Sequence, residues 1–543
     1  MWLSCQSARH EPIVYQLPHV AAARLSMNGA ESLVRTLLHS GVETCFANPG
    51  TSEMHFVAAL DRIAGMRCIL CLQENVVTGA ADGFYRVTGK PAATLLHCGP
   101  GLANGLANLH NARRACSGIV NIVGDQATYH RPLDAPLTAD VEGWARPVSA
   151  WVRTVASADK VGADTAAAIQ AARTLPGGIA TLILPSDASW NEGGLVGAPL
   201  PVPEAAPIDP HAVRQAARVL REKSNVLLLL GGEAVHERSQ QLAWRIASKT
   251  GAKLLTEGSN SRTERGRGRL PLERVPYAND AAVKMLAPFD HLILVNATAP
   301  IGFFAYPGKP GQFAKPGTEL HVLTRPEQSA VAALQALVDE LGAPPAAIPD
   351  SGPKPSVVTG KPTPENLATT VAAVLPEGAV VVDESVSYGR GFFKNTHAAA
   401  PHDWMQIMGG AIGAGIPLAV GAAIGLRTMG RGNRRVLALQ ADGSAMYTIQ
   451  GLWTQAREKL PVTTVVLSNR KYQILIGEYF AVGANPGRTA MDMLDLGNPD
   501  IGWVKLATSL GVEAATADTL EACADLMTQS FRRQSPFLIE LSI

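Results

Sequence analysis

Several common features are absent from this 543-residue sequence, and each absence narrows what the chain can be. No apolar run reaches the roughly 18–20 residues of a bilayer-spanning helix, so we predict no membrane span. Basic and acidic residues nearly balance, 47 against 46, which leaves no net field to attract nucleic acid or an anionic membrane. The seven cysteines are odd in number and scattered, which argues against a disulfide framework and favours a reducing cytoplasm.

Length and composition indicate a globular protein of several domains. At roughly 100–200 residues per domain, the length favours three units. Hydrophobic residues make up 47% of the chain, with 51 Gly and 37 Pro, as expected for many apolar elements separated by tight turns. Strand-like runs alternate with helical patterns almost throughout. We therefore predict three doubly wound α/β domains with mainly parallel sheets.

Two stretches rich in Pro, Gly and Ala, residues 191–210 and 343–364, interrupt this alternation and are predicted linkers. They divide the chain into three segments, 27–190, 191–355 and 356–543.

Two regions carry weaker signals. Residues 1–26 lack periodicity and directly precede a Met, which predicts either a disordered leader or an artefact of start-codon choice. The middle segment has no G-x-G-x-x-G after a strand, so a dinucleotide fingerprint is absent. Its basic run, residues 262–269, is predicted to be a solvated loop in preference to an anion site.

A carboxylate follows a predicted buried strand in the third segment. Residues 435–441 form that strand, and Asp442-Gly443-Ser444 comes next, before a helical pattern over residues 445–458. The first amides of a helix attract phosphate, and a neighbouring Asp can face a cation. Because A-D-G is also common in ordinary turns, this motif alone is a weak signal.

A second predicted strand, residues 463–468, ends in Asn469, 27 positions after Asp442. This interval accommodates one helix and a return strand, and a right-handed crossover brings both strand ends to the same edge of a sheet. The Asp442 carboxylate, the Asn469 amide oxygen and one backbone carbonyl would then provide hard oxygen ligands for Mg²⁺ at roughly 2.1 Å.

The stretch from Asp442 to Asn469 resembles the signature of thiamine-diphosphate enzymes, in which G-D-G is followed by N-N after one helix and one strand. The resemblance implies that Asp442, Asn469 and the backbone carbonyl of Lys471 bind the metal ion. It also implies cofactor contacts from Gly443, Ser444 and Tyr472. Ala441 replaces the first Gly and Ser468 the first Asn, which affects the expected geometry of the diphosphate loop but removes no side-chain ligand.

A glutamate lies at a predicted strand–helix junction in the first segment. Residues 66–72 read as a strand, and Glu74 precedes an apolar helical pattern, where it would ordinarily be an acid stabilised by the helix dipole. Residues 46–53 (F-A-N-P-G-T-S-E), 72–74 (L-Q-E) and 80–84 (A-A-D-G-F) resemble the pyrimidine-binding domain of the benzoylformate decarboxylase and acetolactate synthase superfamily. The resemblance covers most of the chain and implies that Glu74 hydrogen-bonds the aminopyrimidine ring of the cofactor.

The same resemblance implies further cofactor contacts. Residues 409–417 (G-G-A-I-G-A-G-I-P) match the region where a large apolar side chain supports the bent cofactor, which assigns that position to Ile412. After a predicted strand at residues 379–382, Ser385 and Ser387 lie where related enzymes hold the diphosphate.

Residues of the expected substrate pocket are mixed between families. His97 follows the predicted strand 92–96 in an L-H-x-x-x-G context that resembles benzoylformate decarboxylase, where the matching His handles protons; a lone His there would otherwise be structural. The G-P-G that follows is typical of acetolactate synthases. Thr51 keeps a hydroxyl found in benzoylformate decarboxylase, whereas Tyr306 replaces its second catalytic His. Leu475 stands where pyruvate decarboxylases carry a catalytic Glu, which argues against that subgroup.

These residues predict cleavage or formation of C–C bonds next to a 2-oxo acid carbonyl, by an acetolactate synthase-like carboligase or a 2-oxo acid decarboxylase. The alternative is a non-catalytic, thiamine-diphosphate-binding regulatory paralogue, which the retention of Glu74, Asp442 and Asn469 disfavours. The resemblance implies a small 2-oxo acid substrate and a homodimer or homotetramer, with the sites meeting across a subunit interface. It also allows FAD in the middle domain, although the sequence carries no fingerprint for it.

Overall fold

The structure is a computed structural model that describes residues 27–543, so the predicted leader, residues 1–26, lies outside the described residues. Three sheets of six, five and seven strands organise this part of the chain. Almost all neighbouring strands are parallel, which confirms the predicted α/β architecture. Among the described helices, none is both long and apolar enough to cross a bilayer.

The first sheet lies in the first predicted segment. Its strands are β1 (Thr44–Ala47), β2 (Arg67–Leu70), β3 (Ala92–His97), β4 (Ile119–Asp125), β5 (Trp151–Thr154) and β6 (Ile179–Pro185). Its helices are α1 (Gly29–His39), α2 (Met54–Arg62), α3 (Glu74–Thr88), α4 (Cys98–Arg114), α5 (Val141–Ala145), α6 (Val161–Arg173) and α7 (Ser186–Trp190). The order is β2-β1-β3-β4-β6-β5, all parallel. β4 and β6 are buried throughout, as expected of apolar strands covered on both faces.

The middle segment contributes to two sheets. Its strands are β7 (Val226–Leu230), β8 (Lys253–Thr256), β9 (Thr263–Arg265), β10 (Glu273–Arg274), β11 (His291–Val295) and β12 (Glu319–Thr324). Its helices are α8 (Pro210–Glu222), α9 (Glu237–Thr250), α10 (Asn279–Leu286) and α11 (Ala330–Leu341). Five strands form a parallel sheet in the order β10-β8-β7-β11-β12, whereas β9 joins the third sheet.

The third segment forms the largest sheet. Its strands are β13 (Ala379–Glu384), β14 (His402–Gln406), β15 (Val436–Ala441), β16 (Val462–Ser468), β17 (Glu513–Ala517) and β18 (Phe537–Ser542). Its helices are α12 (Pro364–Val374), α13 (Phe392–Asn395), α14 (Gly415–Thr428), α15 (Asp442–Ala445), α16 (Gln450–Arg457), α17 (Gln473–Ala481), α18 (Arg488–Asp492), α19 (Trp503–Ser509) and α20 (Leu520–Phe531). The order is β17-β18-β16-β15-β13-β14-β9, with only the β14–β9 pair antiparallel.

The two predicted linkers, residues 191–210 and 343–364, fall almost entirely in stretches without helix or strand. The exact domain boundaries stay predictions. One local prediction is wrong: the helix expected over residues 445–458 is interrupted, because α15 ends at Ala445 and α16 begins at Gln450.

The basic run at residues 262–269 differs from the predicted solvated loop. Arg265 lies in β9 and is buried, and its guanidinium lies 3.7 Å from the ring centroid of Phe393. Burial holds the pKa of Arg265 well below its ordinary value. Arg262 and Arg269 lie 3.5 Å and 3.8 Å from carboxylate oxygens of Asp403, at the point where β9 joins the third sheet. The run is therefore an interdomain contact.

A buried ion pair connects all three segments. The Arg86 guanidinium donates to the Asp82 carboxylate at 2.8 Å and 2.6 Å, and both side chains are 1% exposed. It also donates to the backbone carbonyls of Ser261 (3.3 Å) and Gln406 (2.6 Å), which belong to the middle and third segments. Arg86 thus holds α3 against two other units.

Replacing Arg86 with Met is expected to lower the free energy of unfolding by roughly 3–5 kcal/mol, because it leaves the Asp82 carboxylate buried without its partner. Urea unfolding followed by tryptophan fluorescence measures this change. Arg146→Met is a matched control, since Arg146 forms an exposed i,i+4 pair with Glu142 and should change stability by less than about 1 kcal/mol. Equal effects of the two substitutions would contradict an interdomain role for Arg86.

Candidate cofactor and substrate site

The structure brings Asp442 together with the loop that follows β16. β15 and β16 are neighbouring parallel strands, with Ala441 opposite Leu467, so both end at the same edge of the sheet. Asp442 is only 3% exposed. Its carboxylate oxygens accept hydrogen bonds from the backbone amides of Gly443 at 2.8 Å and Arg470 at 2.7 Å. The amide of Arg470 thereby fixes the loop against the carboxylate.

The residues after Asn469 form a tight turn beside this carboxylate. The Asn469 side-chain oxygen accepts a hydrogen bond from the Lys471 amide at 3.1 Å, and Arg470 between them adopts a left-handed conformation (φ 58°). Tyr472 packs on Gly443, where an added Cβ would lie 2.4 Å from the Tyr472 ring. Gly443 is therefore needed for this close approach.

The oxygen atoms around the Asp442 carboxylate suit a divalent cation. Within residues 27–543, no Lys or Arg side chain forms an ion pair with Asp442, and burial raises the pKa of its carboxyl group. A buried carboxylate without a cationic side chain is costly unless another positive charge compensates it. The Asp442 carboxylate, the Asn469 side-chain oxygen and the Lys471 carbonyl oxygen are all hard ligands of the kind that Mg²⁺ prefers.

A buried polar network lies next to the same corner. The Glu384 carboxylate accepts hydrogen bonds from the amides of Gly413 (2.7 Å) and Gly415 (2.6 Å) and from the Gln440 side chain (2.9 Å). The Gln440 amide nitrogen also donates to the Ser444 hydroxyl at 2.8 Å. Burial raises the pKa of Glu384. The network fixes the N-terminus of α14 relative to Ser444.

The remaining residues predicted to contact the cofactor lie around this network. Ser385 is buried and its hydroxyl donates to Asp383. Ser387 is half-buried and directly precedes a short 3₁₀ turn, Tyr388–Gly391. Ile412 is half-buried in the loop before α14, next to Gly413. In the described structure, the Ser385 hydroxyl is engaged by Asp383, so Ser387 is the freer of the two serines.

Glu74 is the first residue of α3, as the predicted strand–helix junction requires. It is 8% exposed, and its carboxylate accepts a hydrogen bond from the Asn104 side chain at 3.1 Å. The Gln73 side chain caps the helix by accepting from the Val76 amide at 3.2 Å. Because Gln73 makes the capping hydrogen bond, the Glu74 carboxylate does not cap its own helix.

One polar face of α4 connects Glu74 with the loop that carries Ile412. Asn104, Asn108 and Asn111 recur at i, i+4 and i+7, so they share this face. The Asn108 side chain donates to the carbonyls of Asn75 (2.8 Å) and Gly413 (3.2 Å). The Asn111 side chain donates to the Ala411 carbonyl at 2.7 Å. Our sequence reasoning missed these asparagines, although their helical spacing was a usable signal.

His97 belongs to a second polar group near Glu74. Its Nδ1 lies 3.0 Å from a carboxylate oxygen of Glu53 and 3.0 Å from the Ser52 hydroxyl. A Cβ built on Gly101 would lie 3.4 Å from the His97 Cβ and 3.5 Å from a Glu74 carboxylate oxygen. His97 and Glu74 therefore both pack next to Gly101 of α4.

Thr51 lies beside this group, whereas Tyr306 does not contact it. Thr51 is exposed and opens the one-turn 3₁₀ helix Thr51–Glu53. The Tyr306 hydroxyl donates to Glu478 at 2.6 Å, and burial together with Glu478 raises its pKa. Leu475 is exposed on α17, the helix that also carries Glu478. Among the described residues, no hydrogen bond joins Glu74 or His97 to Asp442 or Asn469.

Glu53 was also missed as a site residue, although its position three residues after Gly50 is the spacing of a helix-capping acid. Its carboxylate accepts from the Gly50 amide at 2.7 Å and, through its contact with Nδ1, raises the pKa of His97 above the ordinary value of 6.5. Glu53 thus fixes the His97 ring and favours its protonated form.

Replacing Glu53 with Gln is expected to lower the pKa of His97, which an NMR titration of the imidazole measures. Because the folded-state pKa is raised, the His97–Glu53 pairing stabilises the fold below about pH 6.5 and loses this effect as the pH rises through the folded pKa. Glu53→Gln should therefore reduce thermal stability more at pH 6 than at pH 9, because His changes its charge between about pH 5 and 8. Glu43→Gln, at an exposed residue, should leave the His97 titration unchanged. An unshifted His97 pKa in Glu53→Gln would refute this pairing.

Comparison with known proteins identifies the family of this chain. The fold is shared with a class of enzymes that binds thiamine diphosphate. Residues 27–143 match the family described as thiamine pyrophosphate enzyme, N-terminal TPP binding domain, and residues 388–541 match the C-terminal TPP binding domain of the same family. The chain belongs to the thiamine pyrophosphate enzyme family.

Individual relatives show which kinds of thiamine-diphosphate enzyme this chain is similar to. The chain is 48% identical over 521 residues, covering 95% of this chain and 99% of the relative, to IlvX of Mycobacterium tuberculosis, a predicted acetolactate synthase large subunit. It is 29% identical to benzoylformate decarboxylase of Pseudomonas aeruginosa, covering 93% of this chain and 97% of that protein. Its fold is similar, with a TM-score of 0.81 and 25% identity over 95% of this chain and 98% of the other, to a thiamine diphosphate-dependent 4-hydroxybenzoylformate decarboxylase of Rhodococcus jostii. The chain is thus an enzyme of the acetolactate synthase-like and benzoylformate decarboxylase-like group.

Proposed function

We propose that this protein uses thiamine diphosphate and Mg²⁺ to cleave or form a C–C bond next to the carbonyl of a small 2-oxo acid. The observation that carries the proposal is the position of His97 and Glu74 next to Gly101, which places a proton-transfer group near a buried carboxylate. General acid–base groups in such sites act when they lie within reach of the reacting atoms. The 48% identity to a predicted acetolactate synthase subunit favours a catalyst over the regulatory alternative.

The third segment would bind the charged end of the cofactor. Asp442, Asn469 and the carbonyl of Lys471 would hold Mg²⁺, because they provide oxygen ligands at one corner. Further contacts to the diphosphate would come from Gly443, Ser444, Ser385, Ser387 and Tyr472. The helix amides at the start of α15 favour the phosphate charge.

The first segment would orient the reacting groups. When bound, thiamine diphosphate supplies a carbon nucleophile and an electron sink. Glu74 would hold a proton on the aminopyrimidine ring in a site that excludes water. Ile412 would support the cofactor from the loop that Asn108 and Asn111 anchor.

His97 and Thr51 would act on the substrate. Because the His97 Nδ1 is held by Glu53 and Ser52, its Nε2 is the nitrogen left to exchange a proton with substrate. Thr51 supplies an exposed hydroxyl next to this pair. Tyr306, tied to Glu478, offers a neutral hydroxyl in place of a second imidazole. This replacement favours a carboligase over simple decarboxylation of an aromatic 2-oxo acid.

A panel of aliphatic and aromatic 2-oxo acids tests the proposal. Purified protein with thiamine diphosphate and Mg²⁺ should release CO₂ from at least one of them, and chromatography should identify any carboligation product when a second 2-oxo acid is added. Omitting either cofactor should abolish the release. If the protein binds the cofactor but releases no CO₂ and forms no product from any substrate, the regulatory alternative is correct.

Exposed apolar residues support a homo-oligomer. Helix α17 has no buried residue, although most of its side chains are apolar. The large exposed hydrophobic residues from α17 to the residue that follows α18 are Leu475, Phe480, Val482, Met491 and Met493. Such patches mark interfaces, so we propose that copies of this chain cover them in a homodimer or homotetramer. Light scattering tests this state.

A further inference from the structure

Three potential metal ligands converge in the middle segment, away from the candidate cofactor site. His291 begins β11, and Glu319 begins β12, the edge strand of the five-stranded sheet. The parallel register places His291 opposite Glu319. His321 follows Glu319 by two residues and therefore lies on the same face of the sheet. The sheet topology brings His291 together with Glu319 and His321.

The three ligand atoms form a nearly equilateral triangle. The His291 Nδ1 lies 3.5 Å from a Glu319 carboxylate oxygen and 3.4 Å from the His321 Nε2. The His321 Nε2 lies 3.7 Å from the same Glu319 oxygen. A tetrahedral zinc site with ligand distances of about 2.0–2.1 Å has edges of about 3.3–3.4 Å. Shifts of a few tenths of an ångström would therefore place all three atoms on one ion.

The surroundings suit a metal ion more than a charged histidine pair. Both histidines are largely buried, with side chains 10% exposed for His291 and 8% for His321, and burying a charged group is costly. Neutral imidazole nitrogens are the form that binds metals. The Glu319 side chain is 64% exposed, which leaves a path for the ion and room for a water ligand.

A further residue is placed to orient one of the rings. The side-chain amide of Gln215, on α8, lies 3.4 Å from the His321 Nδ1, the nitrogen on the far side of the ring from the ligand atom. Rotation of the amide exchanges its oxygen and nitrogen, so Gln215 can accept a hydrogen bond from Nδ1–H. Metal-binding histidines commonly have such a partner.

We propose that His291, Glu319 and His321 bind Zn²⁺, or a first-row divalent ion of similar ligand preference, with water as the fourth ligand. The ion would join the edge strand β12 to β11 and stabilise the middle domain. This site is independent of the proposed catalytic function, since it shares no residue with the candidate cofactor site.

Zinc binding to the full-length protein tests the proposal. The protein is first saturated with thiamine diphosphate and excess Mg²⁺, so that the Asp442 corner is occupied, and ZnCl₂ is then titrated against a chromophoric chelator. We expect one Zn²⁺ per chain. Glu319→Gln and His321→Gln should each weaken binding by at least about tenfold, because even residues that only orient metal ligands contribute about 10–100-fold.

Two control variants sharpen the test. His211→Gln removes an exposed histidine of α8 and should leave zinc affinity unchanged. Cys98→Ser alters a second group of potential ligands, formed with Glu53 and His97, and should also retain the site. Thermal unfolding without zinc verifies that Glu319→Gln, a change at an exposed side chain, preserves the fold. The proposal is wrong if wild-type protein binds no zinc, if Glu319→Gln binds as tightly as wild type, or if only Cys98→Ser loses zinc.

Discussion

Glu74→Gln is expected to reduce turnover by about 10²–10⁴-fold, the usual contribution of a general acid–base group, while thiamine diphosphate remains bound. Glutamine has nearly the same shape and can still accept the hydrogen bond from Asn104. It cannot exchange a proton with the aminopyrimidine ring. The substitution therefore removes proton transfer and leaves the cofactor-binding surface intact.

Turnover is measured as CO₂ release with the best 2-oxo acid of the panel, and cofactor affinity is measured by calorimetry. Glu365→Gln is the matched control, because Glu365 also lies in the first turn of a helix, α12, but is exposed. It should behave like wild type. If Glu74→Gln keeps wild-type turnover, or if its cofactor affinity falls as much as its turnover, the proposed proton transfer through Glu74 is wrong.

Asp442→Asn is expected to weaken Mg²⁺-dependent binding of thiamine diphosphate by roughly 10- to 100-fold, the range of a lost charge-assisted contact. Asparagine has one acceptor oxygen, which can keep the hydrogen bond from the Arg470 amide that positions the loop after β16, whereas its NH₂ group then faces the Gly443 amide. The negative charge that compensates the cation is lost. Binding should therefore respond much less to added Mg²⁺.

Thermal unfolding provides a second measurement of this effect. A ligand at 100 times its dissociation constant stabilises the folded state by about 2.7 kcal/mol. Wild type should gain this stability only when both Mg²⁺ and thiamine diphosphate are present, and Asp442→Asn should gain much less. Asp500→Asn is the control, because Asp500 contacts the Arg470 side chain in solvent and not the carboxylate corner. An unchanged Mg²⁺ dependence in Asp442→Asn would contradict the assigned metal site.

Much of the candidate site could be predicted from sequence because its residues lie at the ends of regular elements. β15 and β16 were recognisable as apolar runs, and the spacing from Asp442 to Asn469 required a crossover between neighbouring strands. Glu74 likewise lies where a strand gives way to a helix. Local hydrophobic pattern and chain connectivity determine such positions, so one sequence is enough to find them.

Contacts between distant residues could not be predicted in this way. Glu53 and His97 are 44 positions apart, and only the packing of the Thr51–Glu53 turn against the end of β3 places them in contact. Arg265 was expected in solvent, because the sequence shows a basic run but not the aromatic rings that cover it. A charge run indicates exposure only when no other segment packs on it.

The sequence by itself determined the α/β class, the strand ends that carry Asp442, Asn469 and Glu74, and the resemblance to thiamine-diphosphate enzymes. Only the tertiary structure decided which side chains meet, including the partners of Glu74 and His97 and the converging residues of β11 and β12. The reason is physical: hydrophobic periodicity is a local property of the chain, whereas a buried polar group is paired by whichever donors the packing of distant elements brings within hydrogen-bonding distance.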